Sequence, residues 1–265
     1  MIRVNLPRDL FQPLKKIRTS FILLVTFFLL IGTHLWIENH GLIVDEREIH
    51  YAIQTLVNNH LDLRESLKNP YPPYSTLPTF HLIIAWIATI NHDATLGSLR
   101  SYSFLFSLCS IFIFFQAAKK LDADLYDIRT VQYSFFPILY PYFFLLYTDV
   151  MSLFFILLAL YFSLRKNYSL TAVSGIGSML IRQNNIVWLA FFFVLLYVEE
   201  YGMKFKWQFL YKHFLNGWVF VLGFLSFIVY VILNHGISFH DPKTHHFSFH
   251  LGNIYFLLFS FFFLF

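Results

Sequence analysis

"LPTFHLIIAWIATI", residues 77–90, decides how the rest of this chain is arranged. It is apolar except for Thr79, His81 and Thr89, and it is fourteen residues long. A helix needs about 20 apolar residues to cross a bilayer core, with a range near 17–25. Fourteen fall short. Every later loop changes side according to whether this segment crosses or stays at one face.

On either side of it lie runs of similar oiliness: "FILLVTFFLLIGTHLW" (21–36), "SFLFSLCSIFIFFQAA" (103–118), "VQYSFFPILYPYFFLLY" (131–147), "MSLFFILLALYFSL" (151–164), "IVWLAFFFVLLYV" (186–198) and "VFVLGFLSFIVYVIL" (219–233). The chain is 57% hydrophobic and 13% charged. A soluble domain has about 45–50% and about 25%. Only helices and closed barrels satisfy their backbone in lipid. The runs do not alternate apolar with polar as barrel strands do. The expected fold is therefore all-α, a polytopic membrane helical bundle forming a single domain over 1–265. The first run is long and has no small-x-small cleavage site, so it reads as a signal anchor rather than a removable signal peptide. Cys109 is the single cysteine, which excludes an internal disulfide. The net charge of +4 is no nucleic-acid signal, because the basic residues sit in short loops between the runs.

Lys and Arg concentrate in cytoplasmic loops. Spans near 20–37, 101–118, 130–147, 150–164, 169–185, 186–198, 214–234 and 251–265, about eight in all, with a cytoplasmic N-terminus, put thirteen of the 19 basic residues on the cytoplasmic side. Arg47, Arg64, Lys68, Arg100, Arg182 and Lys243 remain on the other. If 77–90 crossed, Lys119–Lys120, Arg165–Lys166 and the Lys204–Lys212 group would all move to the non-cytoplasmic face. The charge rule thus keeps 77–90 interfacial or re-entrant. The same parity gathers Asp45, Glu46, the "NPYPPYSTLP" loop, Asp149, "RQNN" (182–185) and the His-rich loop 235–250 on one non-cytoplasmic face, as one polar site built from several loops.

Each of these stretches has two readings. In "VDEREIHYAIQ" (44–54), Glu46, His50 and Gln54 share a helix face. A carboxylate here is either a general base at the membrane edge or an acid favoured at a helix start. Asp149 in "FLLYTDVMSLFF" is a lone acid between apolar runs, where acids are functional or paired, or else Thr148 and Asp149 cap the next helix. In "SMLIRQNNIVW", Arg182 offers a planar fork suited to phosphate or carboxylate, with Gln183, Asn184 and Asn185 beside it; the alternative is a polar loop. "HGISFHDPKTHHFSFH" (235–250) has five histidines, but His240, Asp241, His245 and His250 fit no standard zinc spacing. Hydrogen bonding to a polar substrate suits them better than a metal. No Walker or dinucleotide glycine motif is present, so nucleotide-driven chemistry has no support.

In this order, "DE" 45–46 with Gln54, "STLP" 75–78, "LR" 99–100, "FFPILYPYFFLLYTDV" 135–150, "IRQNNIVW" 181–188 and Asp241, His245, His250, Tyr255 resemble the endoplasmic-reticulum α-1,2-glucosyltransferase family that adds the last glucose to the lipid-linked N-glycan precursor. The resemblance implies a C-type glycosyltransferase fold and an endoplasmic-reticulum membrane location with a lumenal site. It implies dolichyl phosphate glucose as donor, a lipid-linked oligosaccharide as acceptor, surrounding membrane lipids, and neither nucleic acid nor cofactor. Asp45, Glu46 and Asp149 become the expected catalytic acids. Arg100, Arg182, Gln183, Asn185, Asp241, His245 and His250 become the expected substrate-binding residues. Family members are longer and this chain stops inside an apolar run, so a C-terminally incomplete chain is expected. The runners-up are a related polyprenyl-phosphate-sugar transferase with another sugar or acceptor, and a truncated non-catalytic relative.

Overall fold

The computed structural model describes residues 12–38, 40–43, 46–64 and 76–237. Asp45, Asp241, His245, His250, the "NPYPPY" stretch and the expected span 251–265 lie outside the described residues. Among the described residues the chain is all-α, without strands. The helices are α1 (Gln12–Glu38), α2 (Glu46–Asn58), α3 (Thr79–Asn91), α4 (Leu96–Leu121), α5 (Tyr126–Ser134), α6 (Thr148–Ser163), α7 (Tyr168–Ile181), α8 (Ile186–Tyr201), α9 (Trp207–Asn216) and α10 (Trp218–Asn234).

The residues 19–38 of α1 and the whole of α4, at 20 and 26 residues, are long and apolar enough to cross a membrane. α9 and α10 together form a third candidate, bent by 77°. The exposed faces of α1 and α10 are oily, with Phe21, Phe28, Leu35, Leu225, Ile228 and Ile232 all more than half exposed. Such faces are costly in water and suited to lipid.

The lengths do not deliver eight uniform spans. The expected span 130–147 is broken: α5 ends at Ser134, and only a 3-10 turn, Tyr140–Phe143, follows before α6. Pro137 and Pro141 explain the break, because proline removes a backbone donor and clashes with the preceding turn. The expected span 169–185 stops at Ile181, where Arg182 turns extended. α6 and α7 have 16 and 14 residues, or about 24 and 21 Å at about 1.5 Å per residue, less than a hydrocarbon core of about 30 Å. At the α9–α10 break, Gly217 is required by crowding, since a Cβ there would meet the Phe193 ring at 2.8 Å.

α3 takes up most of the apolar stretch 77–90. Its buried Phe80, Ile84, Ala85 and Ala88 pack with Ile53 and Leu56 of α2. The same cluster takes in Leu99 from the start of α4, Met151 from the start of α6 and Ile181 from the end of α7. α2 and α3 therefore cover one end of the bundle, the end where the candidate residues meet. Beneath them α6 and α7 pack through small residues, among them Ser152 against Ser178 and Gly177 against the Phe155 ring. Small side chains let helix backbones approach closely where lipid gives no hydrophobic drive to associate.

Candidate active site

Glu46 opens α2, and Arg100 lies one turn into α4, whose start is capped by Thr95 accepting from Ser98 N. Both side chains have zero exposure. Arg100 Nε donates to Glu46 Oε1 at 2.8 Å and Nη2 to Oε2 at 2.6 Å, a fork-to-fork pair. Nη1 donates to the carbonyls of Ile37 (2.8 Å) and His40 (2.7 Å), and Nη2 also to that of Gly41 (3.2 Å). These bonds engage all five guanidinium protons. The carboxylate is also filled: Oε1 accepts from Leu146 N at 2.9 Å and Oε2 from Ile43 N at 3.3 Å. Burial pushes the Glu46 carboxyl up, but its bonds to Arg100, Leu146 and Ile43 outweigh that, and the net shift is downward. This pair ties α1, α2, α4 and the segment entering α6 into one corner. The expected roles of Arg100 in substrate binding and of Glu46 as a catalytic acid have no free donor or open oxygen to work with here. Their task in this arrangement is positioning.

His50 follows one turn along α2. Burial lowers its pKa, Glu46 pulls it back up in part, and Arg100 lowers it further, so the net shift is downward. Its Nε2 is buried without a hydrogen-bond partner among the described residues.

The second pair is open. Asp149 stands in the first turn of α6, and Arg182 is the residue that ends α7. Arg182 Nη1 donates to Asp149 Oδ1, and the two side chains are 37% and 39% exposed. The capping alternative for the "TD" dipeptide does not hold: Tyr147 occupies the cap position and no side chain caps α6. Asp149 has turned to Arg182 instead.

The amides that follow Arg182 divide. Gln183 is buried, and its Nε2 donates to Ile237 O at 3.2 Å, just beyond α10. Asn185 Nδ2 donates to the hydroxyl of Ser152 (2.5 Å) and to the hydroxyl (2.6 Å) and carbonyl (3.2 Å) of Ser178, stitching α6 to α7 under the Arg182 turn. Asn184 is exposed. Gln183 and Asn185 thus fix the backbone that presents Arg182.

The structure brings Glu46, Arg100, Asp149, Arg182, Gln183 and Asn185 to one end of the bundle, two oppositely charged pairs linked by the four-residue step from Leu146 to Asp149. Sequence reasoning missed three supports. They are the Leu146 amide, the carbonyls of 37–41 and the Ser152–Ser178 seat of Asn185. The last carried a signal, since serines spaced along apolar helices mark helix contacts.

The sequence pattern of the DIE2/ALG10 family matches residues 72–212, just over half of the chain. The chain belongs to the DIE2/ALG10 family. It is a family of glycosyltransferases, glucosyltransferases of lipid-linked oligosaccharide assembly. No curated protein and no solved structure matches the chain. Within the DIE2/ALG10 match fall Arg100, Asp149, Arg182, Gln183 and Asn185; Asp45, Glu46 and residues 241–250 lie to either side of it.

Proposed function

We propose that this DIE2/ALG10 member transfers glucose from dolichyl phosphate glucose to a lipid-linked oligosaccharide, forming an α-1,2 bond with inversion at the lumenal face of the endoplasmic reticulum. The observation that carries the reading is the half-exposed Asp149–Arg182 pair at the end of the bundle where Glu46, the neighbour of Asp45 in sequence, is locked in place. A membrane-edge cation presented by braced turns suits a lipid phosphate.

The chemistry is one displacement. The acceptor 2-hydroxyl oxygen attacks the anomeric carbon of the β-linked donor. Its proton passes to Asp45, the C1–O bond to phosphate breaks, and the phosphate leaves on the opposite face carrying the electron pair. Arg182 meets the charge growing on that phosphate. Positioned charge is most effective in a water-poor site, where removing one such donor costs about 10²–10³ in rate. Asp149 keeps the guanidinium aimed while the site is empty. Asp241, His245 and His250 contribute hydrogen bonds to the sugars. No nucleotide or metal enters the scheme.

The test is transfer from dolichyl phosphate glucose in reconstituted membranes. Arg182→Ala should lower transfer by about 10²–10³, and Arg182→Lys, which keeps the charge but loses the fork, should fall between. Unchanged transfer in Arg182→Ala would leave Arg182 as a loop residue.

The orientation is tested separately. Lys119 and Lys120 stand in the last turn of α4, Arg165 and Lys166 follow α6, and Lys204, Lys206 and Lys212 come after α8, all three helices leading away from the candidate site; Lys120 Nζ reaches Leu164 O at 3.5 Å across that far end. A glycosylation acceptor inserted near 122–127 should stay unmodified, and one inserted near 240 should be modified. Modification at the first position would reverse the orientation.

A further inference from the structure

At the end opposite the candidate site, the segment "MKFKWQFLYKHFLN" (203–216) has an arrangement that sugar transfer does not use. Residues 203–206 leave α8 through a tight turn, in which Lys206 N donates to Lys204 O at 3.2 Å, and Lys206 is extended where α9 begins. Met203, Lys204, Phe205, Lys206 and Trp207 alternate apolar with basic in sequence, and all of them are exposed. Met203, Phe205 and Trp207 are 76%, 75% and 81% exposed.

α9 separates its oily side chains from its polar ones. At about 100° per residue, its side chains sort into three faces. Phe209, Leu210 and His213 form the first and face the bundle: His213 is 1% exposed, and its Nε2 lies 3.0 Å from Phe193 O. Trp207, Tyr211, Phe214 and Leu215 form the second, an apolar face that is half exposed or more throughout. Gln208, Lys212 and Asn216 form the third, polar and exposed. The faces lie about 120° apart. A helix with one side on protein, one oily side and one wet side suits the plane between lipid and water. The 77° bend to α10 turns α9 away from the axis of that helix, so α9 runs along the surface if α10 crosses.

We propose that residues 203–216 form a membrane-surface element that binds anionic lipid headgroups on the leaflet opposite the candidate site. Charge complementarity selects the occupant. Lys204, Lys206 and Lys212 flank an apolar face able to enter the headgroup region, and Arg165 and Lys166 are exposed at the same end. Glu200 faces Lys212, and it is held by the Tyr168 hydroxyl at 2.6 Å. Aromatic and basic side chains together mark such interfaces.

The experiment uses the full chain with Cys109→Ser and single spin-labelled cysteines, in phosphatidylcholine vesicles with and without phosphatidylglycerol. Labels at Tyr211→Cys and Phe214→Cys should collide with oxygen dissolved in lipid. Labels at Gln208→Cys and Asn216→Cys should collide with an aqueous nickel chelate. Nickel contact at 211 and 214, oxygen contact at 208 and 216, or shielding at all four overturns the placement, the last by showing a protein partner on this face. The headgroup claim is read from binding of phosphatidylglycerol to the purified protein. Replacing Lys204, Lys206 and Lys212 by Gln should weaken it about fivefold per lysine, with phosphatidylcholine binding unmoved. Equal phosphatidylglycerol affinity in wild type and triple variant overturns it.

Discussion

Arg100→Met is expected to destabilise the protein by about 3–5 kcal/mol, the cost of removing one partner from a buried ion pair. The side chains involved have zero exposure, so no water replaces the lost bonds. The substitution strands the Glu46 carboxylate and four carbonyls, those of Ile37, Glu38, His40 and Gly41. The measurement is thermal unfolding of the purified protein in detergent, beside a transfer assay. A phosphate-binding Arg100 would give the opposite pattern, with unfolding unchanged and donor use impaired. The pair also sets an acid limit. The Glu46 carboxyl is held below its ordinary value of 4.5, so its contribution to stability is fully present above that value. The contribution is lost as pH falls through the lower folded-state value. Wild type should therefore lose stability below about pH 4.5 more steeply than Arg100→Met, which has no such contribution left to lose. Parallel acid profiles would count against Glu46 as the anchor.

The fold class was legible because oil has few uses in such quantity. Runs that long, rich in Phe and Leu and without alternation, admit helices and little else. The shortness of 77–90 was legible too, and α3 ends within a residue of it. What hydropathy could not read was where the helices break. Pro137 and Pro141 sit inside a run as apolar as its neighbours, and a window average passes over the two missing backbone donors. The site was legible as a list more than as a set of pairings. Asp149 and Arg182 each stood out as a charge at a membrane edge, and the rule that such charges pair left the partner open across 33 residues of chain. Arg100 was harder. Its sequence context, "GSLRSYS", resembles any helix start. Only the fold shows that four carbonyls and both oxygens of Glu46 converge on its guanidinium, and that an arginine expected at the substrate braces a corner of the bundle.

That corner makes the remaining acid the one to test. Four hydrogen bonds hold the Glu46 carboxylate, so the residue that follows Asp45 is fixed and its own oxygens are occupied. Of the adjacent acids, Asp45 is the one proposed to take the acceptor proton. A base must be ionised and within about 2.6–3.2 Å of the hydroxyl it serves. Asparagine keeps the size of aspartate and much of its hydrogen bonding but cannot take the proton. Loss of a general base costs about 10²–10⁴ in rate. Loss of a helix cap costs stability instead, about 0.5–2 kcal/mol for alanine and less for asparagine, itself a good cap. Asp45→Asn should therefore insert and unfold like wild type while transfer falls by about 10²–10⁴. Near-normal transfer in Asp45→Asn would return Asp45 to a capping role. If Asp149→Asn then abolished transfer, comparison with Arg182→Ala would separate the two duties of Asp149. A loss no greater than that of Arg182→Ala means that Asp149 acts by aiming Arg182. A loss well beyond it means that Asp149 is the base.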